Sequence, residues 1–313
     1  MHFNYDIIPD IHGQHEKLAK LLCKLGWFKK NGAWKHSDNH RKIIFLGDFI
    51  DRGTANKTVI SIVRNMVDAD NAIALMGNHE LNAIYFHSFN KLTGRPLRKH
   101  DFKNIEQHKT FLNEFPLDNR DTKDIINWFC SLPLVAEFNS FRTVHACWSQ
   151  KAITLLQNIN RDTIFSRDFY TQAKAQKSEE YFAVELLTKG PEQRLPLEYF
   201  FTDKTGLTRN SIRLAWWRHK ALTWRELAVS VPNVNTLPEI KFDNWEKIEL
   251  YPKYEIPVFF GHYWMSYPPL ISTSNAICLD CSAGGSGPLV SYHFDETTPH
   301  IKMDNITSHI TTS

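Results

Sequence analysis

Acidic, imidazole and amide side chains recur directly after short apolar runs in this chain of 313 residues. They occur in five segments, namely D-I-H-G at Asp10–Gly13, G-D-F-I-D-R-G at Gly47–Gly53, G-N-H-E at Gly77–Glu80, His145 after R-T-V, and His262 after V-F-F-G. The apolar runs predict buried strands, and open α/β sheets bind ligands where their strands end. We therefore expect these side chains to meet at one sheet edge.

Each group also has a structural alternative. Asp10 could cap the helix predicted to start near His15. Asp48, Asp51 and Asn78 are residue types that suit turns. A single histidine is more often structural than a ligand. The alternative nevertheless requires five separate strand ends to carry such residues by chance, so we favour a common site.

The residue types favour transition metals. Mixed oxygen and nitrogen ligands suit Mn, Fe or Zn better than Ca or Mg. The six side chains of this kind are Asp10, His12, Asp48, Asn78, His145 and His262. Six ligands are too many for one tetrahedral zinc but match two ions with a shared bridge. Such a pair, about 3.5–4 Å apart, stabilises the attacking and leaving oxygens of a displacement.

Strands and helices alternate over the first 80 residues. Apolar periodicity predicts strands at Asp6–Pro9, Lys42–Leu46 and Ala72–Met76, and helices at His15–Leu25 and Thr54–Val67. This alternation predicts a parallel sheet with helices on its faces.

The first strand should deliver two of the ligands. Residues two apart in an extended chain point to the same side, so we expect Asp10 and His12 to reach one ion. Pro9 has no N–H and should end the strand ladder just before them.

The rest of the chain predicts one α/β domain over residues 1–313, with two sheets flanked by helices. It includes a polar, loosely helical insertion around 86–121, a helix at Asp121–Ser131, and a helical and loop cap around 150–213 with a turn at Lys204–Gly206. Further strands are predicted at Arg142–Val144, Val258–Phe260, Ala276–Leu279 and Pro288–Phe294, with a turn at Gly284–Gly287 before the last.

The charge balance gives no indication that the protein binds nucleic acids or membrane surfaces. The 37 Lys and Arg against 34 Asp and Glu leave a net charge of +3, which marks neither a nucleic-acid binder nor a membrane-surface protein. We find no signal peptide and no apolar run of about 20 residues. Five cysteines do not suggest a disulfide scaffold. We expect a cytoplasmic protein; secretion without a cleaved signal stays open, and the oligomeric state is not indicated.

The chain resembles the phosphoprotein phosphatase family of calcineurin-like metallophosphoesterases. The resemblance is carried by the motifs D-x-H, G-D-x-x-D-R-G and G-N-H-E with two later histidines, and it covers the chain from Asp6 to about Phe294. Lys189–Trp217 and G-H-Y-W resemble its bacterial branch. That branch includes diadenosine-tetraphosphatase-like enzymes and the phosphatase module of bacterial polynucleotide kinase-phosphatases. The resemblance implies a fold of two mixed β-sheets in a central sandwich flanked by helices.

The resemblance also implies two divalent metal ions and a hydroxide nucleophile that bridges them. Asp10 and His12 would hold the first ion and Asp48 would bridge the pair. The second ion would be held by Asn78, His145 and His262. We expect manganese, by resemblance to the bacterial branch, with iron and zinc as alternatives.

The implied catalytic residues surround this centre. His79 would be the general acid, oriented by Asp51, and Arg52 would grip the phosphoryl oxygens.

A second arginine is usual in the family, and here Arg213 fits best, with Arg218 as the fallback. Asp280 matches an acidic position of the bacterial branch, where it would orient His262 or touch a metal-bound water. For Arg213 and Asp280 the alternatives are a surface strand residue and a turn acid.

Some residues depart from the family pattern or stay ambiguous. The family commonly has Gly where Pro9 stands, and His-Gly-Gly or His-Ala-Gly where this chain has His145-Ala146-Cys147-Trp148. The bulky Trp148 would either narrow the cleft or plug it from behind. Trp264 is the best candidate for the cleft wall, whereas Trp216, Trp217 and Trp224 favour the core. Cys278 and Cys281 are expected to be buried thiols rather than zinc ligands or a redox pair, because no second ligand pair is visible.

Three functions remain in competition. The leading one is a phosphatase for phosphomonoesters, acting as a serine/threonine protein phosphatase on phosphoproteins. The alternative is a nucleotide pyrophosphohydrolase similar to diadenosine tetraphosphatases, or a polynucleotide phosphatase. A distant alternative is an inactive binding module, which would be expected to lack a ligand.

Overall fold

Two mixed β-sheets form the centre of the fold. The computed structural model describes residues 3–159, 166–203, 206–271, 273–297 and 300–310. The first sheet has the order β16-β15-β1-β4-β5. Its strands are β1 (Asn4–Ile8), β4 (Arg41–Phe45), β5 (Ala72–Ala74), β15 (Val290–Asp295) and β16 (Ile306–Ser308). The second has the order β14-β13-β7-β6. Its strands are β6 (Val135–Glu137), β7 (Arg142–Val144), β13 (Val258–Phe260) and β14 (Ala276–Cys278).

The two sheets share an apolar core, as a sandwich requires. Ile7 and Ile44 of the first sheet are fully buried in one cluster with Phe259 and Ile277 of the second. Alternating residues of β1 and β4 point the other way, where Ile8 and other apolar side chains join a larger cluster with the helices. The predicted fold class, a sandwich of mixed sheets flanked by helices, is therefore confirmed.

The helices pack on the faces of the sheets that point away from the core shared by the two sheets. They are α1 (His15–Lys24), α2 (Asn56–Asp68), α3 (Asn78–Phe86), α4 (Phe102–Glu114), α5 (Arg120–Ser131), α6 (Gln150–Gln157), α7 (Arg167–Gln176), α8 (Glu179–Lys189) and α9 (Trp224–Leu227). The shorter strands are β2 (Phe28–Lys30), β3 (Ala33–Lys35), β8 (Glu192–Arg194), β9 (Phe201–Thr202), β10 (Thr208–Arg209), β11 (Ser211–Leu214) and β12 (Ala228–Val229). Within the described ranges, no helix is long and apolar enough to cross a membrane.

Two elements of the structure were not predicted from the sequence. The chain after β5 forms α3 immediately, so the predicted insertion at 86–121 begins where a helix ends and contains one helix, α4. The β2–β3 hairpin was not predicted, although its Asn31-Gly32 turn is a known hairpin signal; both residues have positive φ. Lys204 and Thr205 of the predicted turn, and residues 160–165 of the predicted helical cap, lie outside the described residues.

A buried ion pair ties the start of the first sheet together. Asp6 in β1 is fully buried, and Arg41 in the neighbouring β4 donates to both of its carboxylate oxygens at 2.8 Å. Trp27 Nε1 donates to the same carboxylate at 2.8 Å. Burial raises the pKa of Asp6, but the hydrogen bonds from His293, Arg41 and Trp27 outweigh it and hold the pKa below its usual range.

We expect Asp6→Asn to lower the free energy of unfolding by about 3–5 kcal/mol at neutral pH, because it breaks a buried pair. Because the folded-state pKa of Asp6 is lowered, its contribution is present above the ordinary Asp pKa of about 3.9 and is lost as pH falls further. Urea unfolding of both proteins between neutral and acidic pH would measure this.

The exposed Lys42–Asp70 pair supplies the matched control. Asp70 is 90% exposed, so Asp70→Asn should cost at most about 1 kcal/mol. An Asp6→Asn protein that matches the control in stability, or a gap to the native protein that widens in acid, would contradict this account of Asp6.

Candidate metal centre

The two sheets place their strand ends against one another. β1, β4 and β5 are parallel in the first sheet, as are β7 and β13 in the second. The Nδ1–H of His145, after β7, donates to the carbonyl of Leu46, after β4, at 2.8 Å. The backbone N–H of His262, after β13, donates to Asp10 at 3.0 Å. These bonds cross between the sheets, so the predicted residues of both meet in one buried cleft.

Asp48 lies at the centre of this cleft. Its Oδ2 is 3.7 Å from His12 Nε2, and its Oδ1 is 3.4 Å from His145 Nε2. Asn78 Oδ1 is 3.2 Å from the same His145 nitrogen. Among the described residues, two sets of side chains could each hold a metal ion, with their ligand atoms within 4.8 Å of one another inside each set: His12, Asp48 and His79, and Asp48, His145 and His262. A carboxylate common to two histidine groups has the placement that a bridging ligand needs.

Asp10 joins the site, but not for the reason expected. His12 Nε2 is 3.9 Å from Asp10 Oδ2, so the two side chains do meet. The chain between them is not extended, because His12 has a φ of 51° and the amides of Ile11 and His12 both donate to the Asp48 carbonyl. The extended conformation predicted for Asp10 to His12 was therefore wrong. The capping alternative fails as well, since Gln14 is the N-cap of α1.

The donor atoms of the histidines fit a metal. His12 Nδ1 donates to the carbonyl of Ile50 at 2.9 Å, which leaves Nε2 to face the cleft. His12 Nε2 and His262 Nε2 in this cleft are among the buried polar atoms of the described residues that have no hydrogen-bond partner. Buried polar atoms normally have partners, so these nitrogens are placed for a ligand outside the chain. Divalent metals are bound by neutral imidazole nitrogens of this kind.

The electrostatics of the cleft agree with a cationic occupant. Burial lowers the pKa of His12 and of His262, with Arg52 and Arg213 as further causes, so both imidazoles stay neutral. Burial and the nearby Asp280 raise the pKa of Asp10 well above its usual range. A bound cation would relieve the repulsion between the carboxylates of Asp10 and Asp280.

The loops that carry the site are held in unfavourable backbone conformations. Positive φ values of 51–74° occur at His12, Asp48, Asp51, Arg52 and His262. Each such conformation costs about 1–3 kcal/mol in a residue other than glycine, and such residues cluster at functional sites. The turns aim the side chains at one point, which regular strand geometry would not do.

Two glycines let the loops approach closely. A Cβ on Gly77 would lie 2.3 Å from Asp48 Oδ1, and a Cβ on Gly261 would lie 2.1 Å from Asp10 Oδ1. Any side chain at either position would displace a carboxylate of the site. This explains why glycine directly precedes Asn78 and His262.

Glu80 is a supporting residue to which we assigned no role from sequence. It is fully buried and accepts hydrogen bonds from the backbone N–H groups of Asp48 and Phe49 at 2.8 Å and Gly77 at 3.0 Å. Burial and the Asp48 charge raise its pKa to about 7. The available signal was its place at the third position of a helix, where Glu commonly bonds back to the N-cap N–H.

His79 and Asp51 form the expected pair. His79 Nδ1 donates to Asp51 Oδ2 at 2.6 Å, and its Nε2 faces Asp48 Oδ2 at 3.9 Å. The side chain of His79 is 15% exposed, so the ring lies at the floor of the cleft. The second oxygen of Asp51 accepts from His108 Nδ1 at 2.8 Å, a contact that we did not predict from sequence.

Arg52 contacts the ring of Trp264 at the wall of the cleft. Its guanidinium carbon is 3.6 Å from the indole centroid, a cation–π contact. The Asp280 carboxylate accepts from the backbone N–H groups of Trp264 at 2.7 Å and Ser282 at 2.8 Å. Asp280 therefore holds the loop that carries Trp264, and its predicted role toward His262 or a metal-bound water stays a prediction.

Arg213 is the better placed of the two candidates for the second arginine. Its Nη1 donates to the carbonyl of His262 at 3.2 Å, and its Nε is 3.7 Å from Glu192. Arg218 instead donates to the carbonyl of Glu226 at 2.7 Å. The structure thus brings Arg213, and not Arg218, to a ligand-type residue.

The other tryptophans lie outside the cleft. The ring of Trp148 is 3% exposed and contacts the guanidinium of Arg142, 4.9 Å from its centroid. Its indole belongs to the buried apolar core, and a plug behind the site stays a prediction. Three further tryptophans are buried in the apolar core, as expected, namely Trp216, Trp217 and Trp224.

Cys278 and Cys281 are buried free thiols. Cys278 Sγ donates to the carbonyl of Gly261 at 3.3 Å, and burial raises its pKa well above the usual range. Neither cysteine occurs in the metal-type groups found among the described residues.

Comparison with known proteins points to one family. A family model described as calcineurin-like phosphoesterase matches residues 3–264. The asymmetrical bis(5′-nucleosyl)-tetraphosphatase PrpE of Oceanobacillus iheyensis is 46% identical over 80 residues, covering 26% of this chain and 31% of that protein. The PrpE protein of Bacillus subtilis is 36% identical over 94 residues, covering 30% and 36%. The matches thus span about a third of these relatives' length.

Solved structures with a similar course of the chain are distant in sequence. A protein serine/threonine phosphatase from Saccharomyces cerevisiae aligns with 98% of this chain and 78% of its own, at 14% identity and a TM-score of 0.47. A metallophosphoesterase from Sphaerobacter thermophilus aligns with 99% and 88%, at 14% identity and a TM-score of 0.43.

We expect Asp48→Asn to lose the binding of both metal ions, because the same carboxylate faces both histidine groups. Metal content after dialysis against Mn²⁺ and titration calorimetry would measure the loss. Asp51→Asn is the matched control: its carboxylate is buried in the same loop but contacts His79 and His108. Retention of both ions by the Asp48→Asn protein would rule out the bridging placement.

Proposed function

The chain belongs to the calcineurin-like phosphoesterase family, and we propose that it is an active hydrolase of phosphate esters or anhydrides that works with two divalent metal ions. The observation that carries this proposal is Asp48, whose carboxylate faces two histidine groups at once. His79 and Asp51 lie beside it as an acid pair. An inactive binding module would have no reason to keep strained turns around unpartnered imidazoles.

The metals would be held by the residues that surround Asp48. Asp10 and His12 lie on one side of it, and Asn78, His145 and His262 lie on the other. When bound, such a pair of cations supplies positive charge to the phosphoryl oxygens and lowers the pKa of bound water. The donor set of carboxylates and imidazoles suits manganese, iron or zinc, and manganese is our proposal.

The chain's own side chains would do the remaining work. The Nδ1–H of His79 donates a hydrogen bond to Asp51. The Nε2 of the ring is therefore the atom that can give a proton to the leaving oxygen. Arg52 lies within the same cleft with a planar fork of donors that matches phosphoryl oxygens. Arg213, beside His262, adds a second positive charge. Charge of this sign around a phosphoryl group is the main requirement of such a reaction.

For the substrate we favour a nucleotide polyphosphate, which is the alternative of the sequence analysis rather than its leading candidate. The curated relatives carry the name of an asymmetrical bis(5′-nucleosyl)-tetraphosphatase, which supports this choice. A serine/threonine protein phosphatase becomes the second candidate.

Diadenosine tetraphosphate should be the preferred substrate in a panel with a phosphoserine peptide and a 5′-phosphorylated oligonucleotide. With Mn²⁺ present, chromatography should show ATP and AMP as products and the highest kcat/KM for the dinucleotide. The Asp48→Asn protein is the blank. Turnover of the phosphopeptide alone would establish the protein phosphatase instead, and turnover of the oligonucleotide alone would establish a polynucleotide phosphatase.

Replacement of His79 should reveal its role as proton donor. His79→Ala should lower kcat by about 10²–10⁴-fold on phenyl phosphate, whose leaving group needs a proton. On 4-nitrophenyl phosphate, whose leaving group is stable as an anion, the loss should be much smaller. Equal losses on both esters would mean that His79 is not the acid.

A further inference from the structure

The helix α4 of the insertion reaches the catalytic pair through one buried histidine. His108 is fully buried, and its Nδ1 is 2.8 Å from Asp51 Oδ1. The other oxygen of Asp51 accepts from His79. A carboxylate held at both oxygens cannot rotate, so the plane of Asp51, and with it the ring of His79, depends on His108.

A second connection runs from the end of the same helix. Glu114 accepts hydrogen bonds from the backbone N–H of Asn56 at 2.8 Å and from its amide nitrogen at 2.7 Å. The amide oxygen of Asn56 in turn accepts from the backbone N–H of Asp51 at 2.7 Å. Helix α4 thus holds Asp51 at its carboxylate and at its backbone, which has a φ of 71°.

The surroundings of His108 make the Asp51 contact its single polar anchor in the described part of the chain. Its ring stacks on Phe111 with centroids 4.7 Å apart, and Phe86 lies 5.2 Å away. His108 Nε2 is buried without a hydrogen-bond partner there. An aromatic residue would pack equally well at this place, so packing alone does not explain a histidine.

We propose that His108 is a positioning residue for catalysis: it donates to Asp51 and thereby sets the orientation of His79 as proton donor. The inference rests on the proposed function, since it concerns the acid of that reaction. It makes the insertion a working part of the active site rather than a peripheral addition to the fold.

Two substitutions separate the hydrogen bond from the packing. His108→Phe keeps a ring against Phe111 but removes the donor. His108→Asn loses the ring but places an amide N–H near the position of Nδ1. His87→Phe is the matched control, because His87 lies in the same cluster, with its ring 5.7 Å from that of His108, and Asp51 is not among its described contacts.

The ratio of kcat on phenyl phosphate to kcat on 4-nitrophenyl phosphate should depend on whether residue 108 carries an N–H donor. His108→Phe should lose up to about 10²-fold in kcat on phenyl phosphate, the scale of a misplaced catalytic group, and much less on 4-nitrophenyl phosphate. His108→Asn and His87→Phe should keep the native ratio of the two rates, even where thermal unfolding shows a lower Tm. A ratio that follows Tm across the three variants would overturn the proposal.

A spectroscopic measurement separates this inference from the proposed function. The Nδ1 proton of His79, identified by its loss in His79→Ala, should give a downfield NMR signal that shifts in His108→Phe and returns in His108→Asn. An unmoved signal in His108→Phe would overturn the positioning role. A native protein that cleaves none of the phosphate substrates but shows the shift would overturn the proposed function instead.

Discussion

The buried carboxylate of Asp48 is the constraint on which the rest of the structure depends. It is 2% exposed, and a charge so placed is costly unless it is paired and hydrogen-bonded. Burial raises its pKa, but the neighbouring imidazoles of His145 and His79 outweigh burial and hold the pKa well below the usual range. The sandwich brings these residues together because it sets the strand ends of its two sheets side by side.

The residues around Asp48 and its histidines stabilise this arrangement. Left-handed turns bend the chain after three strands, and Gly77 and Gly261 give the carboxylates room. Glu80 ties two of these loops together through their backbone N–H groups. Without such hydrogen bonds, the strained loops would relax and the ligand-type side chains would move apart. The same logic extends outward to Asp280, which holds the loop of Trp264.

Local pattern was enough for the elements and for the identity of the ligands. Apolar periodicity predicted α1, α2 and the central strands to within a few residues, because burial of one face determines that periodicity. The motifs named all six metal-type residues, and the structure brings them into one cleft. The extended chain expected between Asp10 and His12 was wrong, since the N–H of His12 donates to the carbonyl of Asp48, 36 residues away, and the backbone turns there.

The sequence by itself thus determined the fold class, the family and the residue types that meet a metal, since these depend on burial and on short motifs. Tertiary structure alone decided which long-range partners orient them. His108 lies 57 residues from Asp51, and Arg213 lies 49 residues from His262. No periodicity records such pairs, because a hydrogen bond between distant segments depends on how loops cross and not on what lies nearby in the chain.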